Sequence, residues 1–375
     1  MKIRAVVLDA VGGPVRVDTL DLAEPREGEV LIRMRAAGVC HSDQHVITGR
    51  HSADLPCVLG HEGAGEVAAV GAGVETVRAG NRVALNWLPS CKACFYCSRG
   101  QEHLCREVVG SLWPGFMTDG SSRLSRNGEM IRHYSGVSTW AEYMVVAQEC
   151  CVTLHDDVPF EVAALIGCAV ATGVGAARYR GDVGPGDRVA VVGAGGVGLS
   201  VIMGAALAGA ERIIAVDREA TKRDLAASLG ATDFVEANEG ADGDAIGHSI
   251  DRVLELTGGR GADVVFEAIG NTRLQQEWIR GVRPGGALVL VGIPGNDETT
   301  PFNSAELSRQ SKTVKGSYYA ETDAGRSIDD LCGAYLEGRL PVDRLISGRY
   351  CIDDVQHAID AMLSGSDGRT VITFD

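Results

Sequence analysis

The chain is 375 residues long and 45% hydrophobic, so it can bury a full core in each of two domains, and a small domain without enough core is excluded. Its formal net charge of −15 argues against nucleic acid or an anionic membrane surface as a partner, because both bind clustered Lys and Arg. The first residues show no apolar signal segment, and we therefore expect a cytoplasmic protein with reduced cysteines.

Residues 1–169 are predicted to form a β-rich domain with many loops. Short alternating runs such as EVLIRMRAAGV (29–39) are separated by Gly and Pro turns. Cys40, His61 and Cys168 lie far apart in this domain, and two thiolates, one imidazole and an open fourth position are the composition of a catalytic zinc site. Taken singly, Cys168 also fits a core position and His61 a hydrogen-bonded turn, so the residues alone leave both interpretations open.

The most specific motif is a group of four cysteines with the spacing Cys-x2-Cys-x2-Cys-x7-Cys. Such a loop can direct four thiolates at one centre, and four thiolates complete the tetrahedral coordination of zinc. A closed site of this kind is structural. An iron–sulfur cluster also takes four thiolates, but nothing else in the sequence indicates electron transfer. The cysteines concerned are Cys91, Cys94, Cys97 and Cys105.

From residue 170 to residue 316 strand and helix patterns alternate, which predicts an α/β domain with a doubly wound parallel sheet. The motif GAGGVG follows the strand RVAVV and precedes an Ala-rich helix, which is the context of a dinucleotide-binding turn. Its glycines let the backbone approach a pyrophosphate at the helix N-terminus. The next strand ends in Asp217, whose carboxylate can accept hydrogen bonds from an adenosine ribose. These patterns predict a Rossmann domain that binds NAD.

The uncharged stretch between Arg188 and Glu211 is long enough to cross a bilayer. It is divided into a β-branched run, a Gly-rich turn and an Ala-rich helix, each too short to do so, and we expect no membrane segment. Residues 317–375 contain two helical patterns and end in a strand, GRTVITFD, which we expect to pack on the first domain.

Together these motifs resemble the zinc-dependent medium-chain alcohol dehydrogenases, in the two-zinc branch that contains classes I and III. The resemblance covers essentially the whole chain, because Cys40, His61, the four-cysteine loop, Cys168 and GAGGVG follow one another in the family's order and spacing. It implies a GroES-like catalytic domain, a Rossmann domain and a homodimer. It also implies hydride transfer between a primary alcohol, or its aldehyde, and NAD. The four cysteines would hold the structural zinc.

The resemblance implies roles for the residues around a catalytic zinc. Cys40, His61 and Cys168 would bind the metal, and Glu62 would lie close enough to ligate it transiently. Asp43 would orient His61 through its second ring nitrogen and so fix the tautomer. The residues that would carry the hydroxyl proton to solvent are Ser42 and His45.

For the cofactor, the resemblance brings the glycine turn to the pyrophosphate and Asp217 with Lys222 to the adenosine ribose. His41 and Arg369 would face the pyrophosphate. The complete predicted set is His41, Gly193, Gly195, Gly196, Val197, Gly198, Asp217, Lys222, Ile293 and Arg369.

The resemblance also predicts an apolar substrate pocket with aromatic walls. The lining residues would be Trp87, Tyr134, Ile293 and Tyr318. Gly110 and Ser135 are small where several relatives carry larger residues, so the outer channel would be wide. We therefore expect a medium-chain or aromatic primary alcohol as the substrate.

Several alternatives stay open. Enzymes that oxidise the glutathione adduct of formaldehyde carry Arg and an acid where this chain has Val109 and His51, yet adducts of other thiols remain candidates. A related subgroup of the family keeps NAD permanently bound. No residue in the sequence distinguishes that subgroup from enzymes that release NAD after each turnover. A silent dinucleotide-binding protein would have lost a zinc ligand or the relay serine, and none is lost. A zinc-bearing nucleic-acid binder is disfavoured by the acidic charge.

Overall fold

A computed structural model describes residues 1–117, 119–238, 244–365 and 368–375. The chain divides into two compact units. The first comprises Met1–Ala171 and Thr322–Asp375, and the second comprises Thr172–Glu321. The sequence-based borders at 169/170 and 316/317 remain a prediction about the domains.

The first part of the chain, to residue 180, contains short strands and few helices. Its strands are β1 (Lys2–Leu8), β2 (Arg16–Leu22), β3 (Glu29–Gly38), β4 (Cys57–Val58), β5 (Gly63–Val70), β6 (Arg82–Leu85), β7 (Leu124–Arg126), β8 (Glu129–His133), β9 (Tyr143–Ala147) and β10 (Cys151–Thr153). Its helices are α1 (His41–Ile47), α2 (Arg106–Leu112), α3 (Phe160–Leu165) and α4 (Ala171–Gly175).

The next part alternates strands with helices. The strands are β11 (Arg188–Val192), β12 (Arg212–Asp217), β13 (Asp233–Glu236), β14 (Ala262–Glu267), β15 (Val282–Leu290) and β16 (Thr313–Gly316). The helices are α5 (Gly196–Leu207), α6 (Arg223–Ser228), α7 (Ala245–Leu256), α8 (Thr272–Glu277) and α9 (Ser304–Gln310). The chain closes with α10 (Ala324–Leu336), β17 (Ile346–Tyr350), α11 (Val355–Leu363) and β18 (Arg369–Thr373).

Two sheets build the first unit. One closes into a barrel in the order β1-β2-β7-β8-β4, and the other has the order β10-β6-β5-β3-β18-β17, with β9 also paired to β3. Apolar side chains from β1, β3 and α11 meet around Trp140, which is fully buried. The last strand, β18, pairs antiparallel with β3, so that Val371 lies opposite Gly38. This pairing carries the C-terminal residues to the end of β3.

The second unit is a parallel sheet of six strands in the order β13-β12-β11-β14-β15-β16. This order is that of a dinucleotide-binding doubly wound sheet, and the predicted α/β fold class is confirmed. The strands β11, β12 and β14 are almost entirely buried, as expected for a parallel sheet covered on both faces. The uncharged stretch between Arg188 and Glu211 forms β11, the glycine turn and α5.

A different segment has the composition of a membrane span. The continuous helical run Phe160–Arg180 is the one such candidate among the described residues, and 83% of its most apolar window is buried inside the structure. Two of its turns are π-helical, at Ile166–Val170 and Ala176–Arg180. π turns of this kind are frequent at functional sites. The run is therefore best explained as a core helix.

Candidate metal and cofactor sites

The predicted ligands of the catalytic zinc come from separate elements of the first unit. Cys40 directly precedes α1, His61 lies just before β5, and Cys168 is in the π turn Ile166–Val170. Donor atoms of Cys40, His61 and Glu62 all lie within 4.8 Å of one another. A hydrogen bond from the Cys168 thiol is the main cause that holds the pKa of Cys40 well below its ordinary value. The structure thus brings the predicted Cys2His set together, with a carboxylate oxygen of Glu62 close by.

These donors suit zinc better than harder cations. Two thiolates and an imidazole are the soft and borderline ligands that zinc prefers, and three protein ligands leave the fourth tetrahedral position open. Cys40, His61, Glu62 and Cys168 are each less than 10% exposed. A cation bound here therefore lies in a site of low dielectric constant, where its effect on the pKa of a ligand is large.

Asp43 connects the loops that carry Cys40 and His61. One carboxylate oxygen, Oδ1, lies 3.2 Å from His61 Nδ1 and accepts a 3.0 Å hydrogen bond from the Gly60 N–H. The other oxygen accepts a 3.2 Å bond from the Cys40 N–H. Burial lowers the pKa of His61, but the Asp43 carboxylate more than offsets this and raises it. The more basic imidazole is a stronger metal ligand through Nε2. Orienting His61 in this way is the role predicted for Asp43.

Glu62 forms a fully buried ion pair with Arg369. Its Oε2 accepts a hydrogen bond of 2.5 Å from the Arg369 guanidinium, while its Oε1 is buried without a partner in the described structure. Burial alone lowers the pKa of Arg369, and the Glu62 carboxylate raises it above its ordinary value. Arg369 is predicted to face the pyrophosphate, and the structure shows its guanidinium held by Glu62.

Gly38 leaves the space that the Glu62 carboxylate occupies. A methyl group added at Gly38 would lie 2.0 Å from Glu62 Oε2 and 2.9 Å from its Cδ. The backbone of Gly38 is itself fixed, because its N–H donates to the Glu62 carbonyl and its carbonyl accepts from Trp140. Sequence reasoning missed this residue, because a glycine at the end of a strand has no distinctive local signal.

The predicted proton relay begins beside the metal donors. Ser42 Oγ lies 3.7 Å from Cys40 Sγ, and the Ser42 carbonyl accepts a 3.4 Å hydrogen bond from the Tyr134 hydroxyl. His45 lies three positions further along α1, on the same face of the helix. Burial is the main cause that lowers the pKa of His45 to about 4, and the neighbouring charge of His51 adds to it. His45 is therefore neutral at physiological pH.

Two predicted pocket residues flank His61. The Trp87 ring meets the imidazole edge-to-face with centroids 6.1 Å apart, and Tyr134 does so at 5.5 Å. The other two residues, Ile293 and Tyr318, belong to the second unit. The aromatic wall is therefore present around the metal donors of the first unit, and the complete pocket stays a prediction.

The four-cysteine loop forms the second metal site. All four sulfur atoms lie within 4.8 Å of one another, with Cys94 and Cys97 3.5 Å apart. A hydrogen bond from the Cys97 N–H is the main cause that lowers the pKa of Cys94 to about 6. Burial and the neighbouring thiols raise the pKa of Cys97 to about 12, so the set needs a cation to ionise fully. Four converging sulfurs, with no further donor in their group among the described residues, fit a closed zinc site.

The glycine turn of the second unit has room for a ligand at the start of α5. Gly193 has a φ of +95°, and a side chain there would meet Ile269 at 2.5 Å. Gly198 packs so tightly that an added methyl would lie 1.7 Å from the Gly193 carbonyl oxygen. At Gly195, the residue that caps α5, no atom of the described residues lies within 4 Å of such a methyl. The turn is thus tight on its protein side and open at the helix N-terminus, as a pyrophosphate requires.

Asp217 lies at the end of β12, beside this turn. Its Oδ2 accepts a 2.7 Å hydrogen bond from the Ala194 N–H. The Lys222 ammonium lies 3.0 and 3.1 Å from the two carboxylate oxygens. The predicted pair is therefore formed, with the carboxylate at the edge of the sheet where nucleotides bind. Of the other predicted cofactor residues, His41 is an exposed residue at the start of α1 and Ile293 is 46% exposed.

Glu267, a residue that sequence reasoning did not assign, fixes the loop opposite the glycine turn. Its Oε1 accepts 2.9 Å bonds from the N–H groups of Ile269 and Gly270, and its Oε2 accepts a 3.0 Å bond from the Gln275 amide. Ile269 is the side chain that packs against Gly193. The available signal was a carboxylate ending the apolar strand β14 at the ligand-binding edge of a parallel sheet.

Comparison with known proteins gives matches along the whole chain. Residues 26–156 match the family model of the alcohol dehydrogenase GroES-like domain, and residues 196–331 match that of the zinc-binding dehydrogenase. These matches confirm the predicted GroES-like domain in the first part of the chain.

Three proteins illustrate the range of relatives. The chain is 36% identical to an NDMA-dependent alcohol dehydrogenase of Amycolatopsis methanolica, with 99% of each chain covered. It is 35% identical to an S-(hydroxymethyl)glutathione dehydrogenase of Escherichia coli over 100% of both chains. Among solved structures, benzyl alcohol dehydrogenase from Acinetobacter calcoaceticus is 28% identical, with 100% of both chains covered and a TM-score of 0.92.

The two metal sites predict unequal effects of losing one ligand. Cys168→Ala removes a donor from an open site, and we expect it to lower kcat by at least about 1,000-fold in a protein that still folds. Cys97→Ala opens the closed site and should chiefly lower the melting temperature. Elemental analysis should find two zincs per chain in the native protein and one in each variant. One metal or none in freshly purified active protein would contradict this assignment.

The close contact of Gly38 with Glu62 predicts that a side chain at position 38 lowers the stability of the protein. Gly38→Ala should displace the Glu62 carboxylate from Arg369, and breaking a buried ion pair lowers the free energy of unfolding by about 3–5 kcal/mol. Gly333→Ala is the matched control, because Gly333 lies in α10 and an added methyl would have no neighbour within 4 Å in the part of the chain that the structure describes. We expect that change to stabilise the protein by about 0.5–1 kcal/mol. Urea unfolding measures both, and equal stabilities would show that Gly38 has no positioning role.

Proposed function

The chain belongs to the zinc-dependent alcohol dehydrogenase family, and we propose that it transfers a hydride between a primary alcohol, or its aldehyde, and NAD. The observation that carries this proposal is the convergence of Cys40, His61 and Cys168 beside the hydroxyl of Ser42. A metal site without an adjacent proton acceptor would suit binding alone. Oxidation of an alcohol needs both, because the hydroxyl proton must leave before the hydride.

Each residue of the site has a separate chemical role. When bound, zinc supplies a Lewis acid that lowers the pKa of the alcohol, and NAD supplies the hydride acceptor. Cys40, His61 and Cys168 hold the metal, and Asp43 keeps His61 in the tautomer that presents Nε2 to it. The Trp87 and Tyr134 rings lie edge-to-face beside His61 and give this side of the site an apolar surface.

Ser42 accepts the hydroxyl proton, and His45 passes it to solvent. The lowered pKa of His45, about 4, means that the imidazole does not retain the proton at neutral pH. Its role is accordingly transfer. Since protonation of His45 begins only as the pH falls towards about 4, we expect no acidic limb from this residue near its ordinary pKa of about 6.5.

NAD is the expected cofactor in preference to NADP. The Asp217 carboxylate at the end of β12 would accept hydrogen bonds from the ribose hydroxyls and would repel a 2′-phosphate. Lys222 offsets part of this negative charge, because its ammonium contacts both carboxylate oxygens. Arg218 is the exposed neighbour that could hold a phosphate if Asp217 turned away.

The proposed substrate is a medium-chain or aromatic alcohol. The aromatic rings flanking His61 offer apolar contact, and each additional buried methylene contributes about 0.8 kcal/mol. A solved relative of the same fold is a benzyl alcohol dehydrogenase.

The names of two relatives support an alternative function. The name of one specifies a glutathione adduct as the substrate, and that of the other specifies NDMA dependence. The alternative function is accordingly that of a thiol-adduct dehydrogenase, or of an alcohol dehydrogenase with permanently bound NAD. Where enzymes for the glutathione adduct carry an acid, this chain has His51, whose ring lies 4.7 Å from that of His45. This disfavours the glutathione adduct, and the substrate screen below decides between a simple alcohol and adducts of other thiols.

We also propose a cytoplasmic homodimer. Among the described strands β16 is the last of the six-stranded sheet of the second unit, and a strand edge with no partner in its own sheet is suited to pairing with a second copy.

A substrate screen tests the proposed reaction. Purified protein with NAD should oxidise hexanol and benzyl alcohol with kcat/KM at least about tenfold above that for ethanol, because longer apolar bodies bury more surface. Hydroxymethyl adducts of low-molecular-weight thiols form the comparison set. If those adducts are preferred by tenfold or more, the enzyme is a thiol-dependent formaldehyde dehydrogenase. Nucleotide released by denaturing the purified protein should be far below one NAD per chain, since a stoichiometric amount would indicate the permanently bound form.

Cofactor kinetics test the role of Asp217. We expect kcat/KM for NAD to exceed that for NADP by at least about tenfold, which corresponds to about 1.4 kcal/mol of discrimination. Asp217→Asn removes the charge and keeps the shape of the side chain. It should lower the ratio of kcat/KM for NAD to kcat/KM for NADP. Arg218→Ala is the control, and it should leave the NAD value unchanged. A native preference for NADP would overturn the assignment.

A further inference from the structure

Trp113 stands at the end of a row of aromatic rings that begins at the metal donors. The row lies entirely within the first unit. His61 contacts Trp87 with centroids 6.1 Å apart, and Trp87 contacts Trp113 with centroids 6.4 Å apart and an interplanar angle of 62°. No pattern in the sequence indicated Trp113, which follows α2 directly.

Exposure changes steeply along this row. His61 is 3% exposed, Trp87 is 8% exposed and Trp113 is 50% exposed. A tryptophan that served only to complete a core would bury most of its large ring. About half of the surface of Trp113 is instead available to a second partner, and its ring contacts Trp87 of the predicted pocket.

The surroundings of Trp113 leave space on the same segment. Gly110 lies three residues earlier, in α2, and among the described residues nothing lies within 4 Å of a methyl group added there. Glycine itself has no side chain that could cover the half-exposed indole, which therefore offers a flat apolar surface. Such a surface suits the face or edge of another aromatic ring.

We propose that Trp113 is a specificity-determining residue, which contacts the aromatic ring of alcohols whose ring lies several bonds from the hydroxyl group. The inference rests on the proposed alcohol oxidation at the Cys40, His61 and Cys168 site. Benzyl alcohol is short, and its ring lies at Trp87. The ring of 3-phenyl-1-propanol extends further from the hydroxyl and reaches Trp113. The chain therefore selects arylalkyl alcohols over simple short alcohols through its outermost ring.

The test compares Trp113→Ala, Trp113→Phe and the native protein with ethanol, benzyl alcohol and 3-phenyl-1-propanol. Trp113→Ala should lower kcat/KM for 3-phenyl-1-propanol by about tenfold, mainly through KM, as expected for the loss of one aromatic contact. The values for ethanol should change less than about twofold, because ethanol does not reach this ring. Trp113→Phe should restore most of the loss. Phe95→Ala is the matched control, because Phe95 is an exposed aromatic residue of the same unit whose ring contacts Tyr96 and the Arg99 guanidinium. Since Phe95 lies in the four-cysteine loop, the zinc content of this variant is measured beside that of the native protein.

Binding without turnover gives an independent readout. In the absence of NAD, 3-phenyl-1-propanol should cause a saturable change in tryptophan fluorescence in the native protein and in Phe95→Ala. In Trp113→Ala the change that remains comes from Trp87, and it should be smaller and need about tenfold more alcohol for half-saturation. If Trp113→Ala changes kcat/KM by the same factor for all three alcohols, Trp113 has no role in specificity. That result would overturn this inference and leave the proposed function standing. Inactivity of the native protein towards every alcohol would overturn the proposed function and this inference with it.

Discussion

The Asp43 carboxylate is the interaction on which the catalytic site depends. It is fully buried, and it accepts hydrogen bonds from the Cys40 and Gly60 backbone and contacts the His61 ring. A buried carboxylate is costly unless it is fully hydrogen-bonded, and here every partner belongs to a loop that carries or adjoins a metal donor. The same contacts that stabilise the charge therefore set the separation between a thiolate and an imidazole from different elements.

A second buried charge ties the C-terminus to that site. The Arg369 guanidinium on β18 meets Glu62, which follows the metal donor His61, across 307 residues of sequence. The register of β18 against β3 makes this possible, because it brings the end of the chain beside Gly38. Gly38 in turn leaves the carboxylate its space. The sheet pairing, the missing side chain at Gly38 and the ion pair thus act together to hold the Glu62 carboxylate beside the metal donors.

The second unit solves a different physical problem, which is to bring backbone close to an anion. Tight contacts at Gly193 and Gly198 fix the turn, and the open position at Gly195 leaves room at the N-terminus of α5. Glu267 steadies the facing loop through backbone N–H groups, and Asp217 does the same for the turn through Ala194. Both carboxylates end strands of the parallel sheet, where the fold directs ligands.

The sequence by itself determined the features that depend on local spacing. The four cysteines lie in one short loop, and the glycine turn lies between a strand and a helix, so spacing alone predicted a closed zinc site and a dinucleotide site. The catalytic ligands needed the resemblance to a family, because Cys40, His61 and Cys168 share no local motif. Tertiary structure alone decided that Glu62 pairs with Arg369, that Glu267 holds the loop facing Gly193, and that Trp113 extends the aromatic row from His61. Each of these contacts joins residues from separate elements, and only the register and packing of those elements bring the side chains within reach.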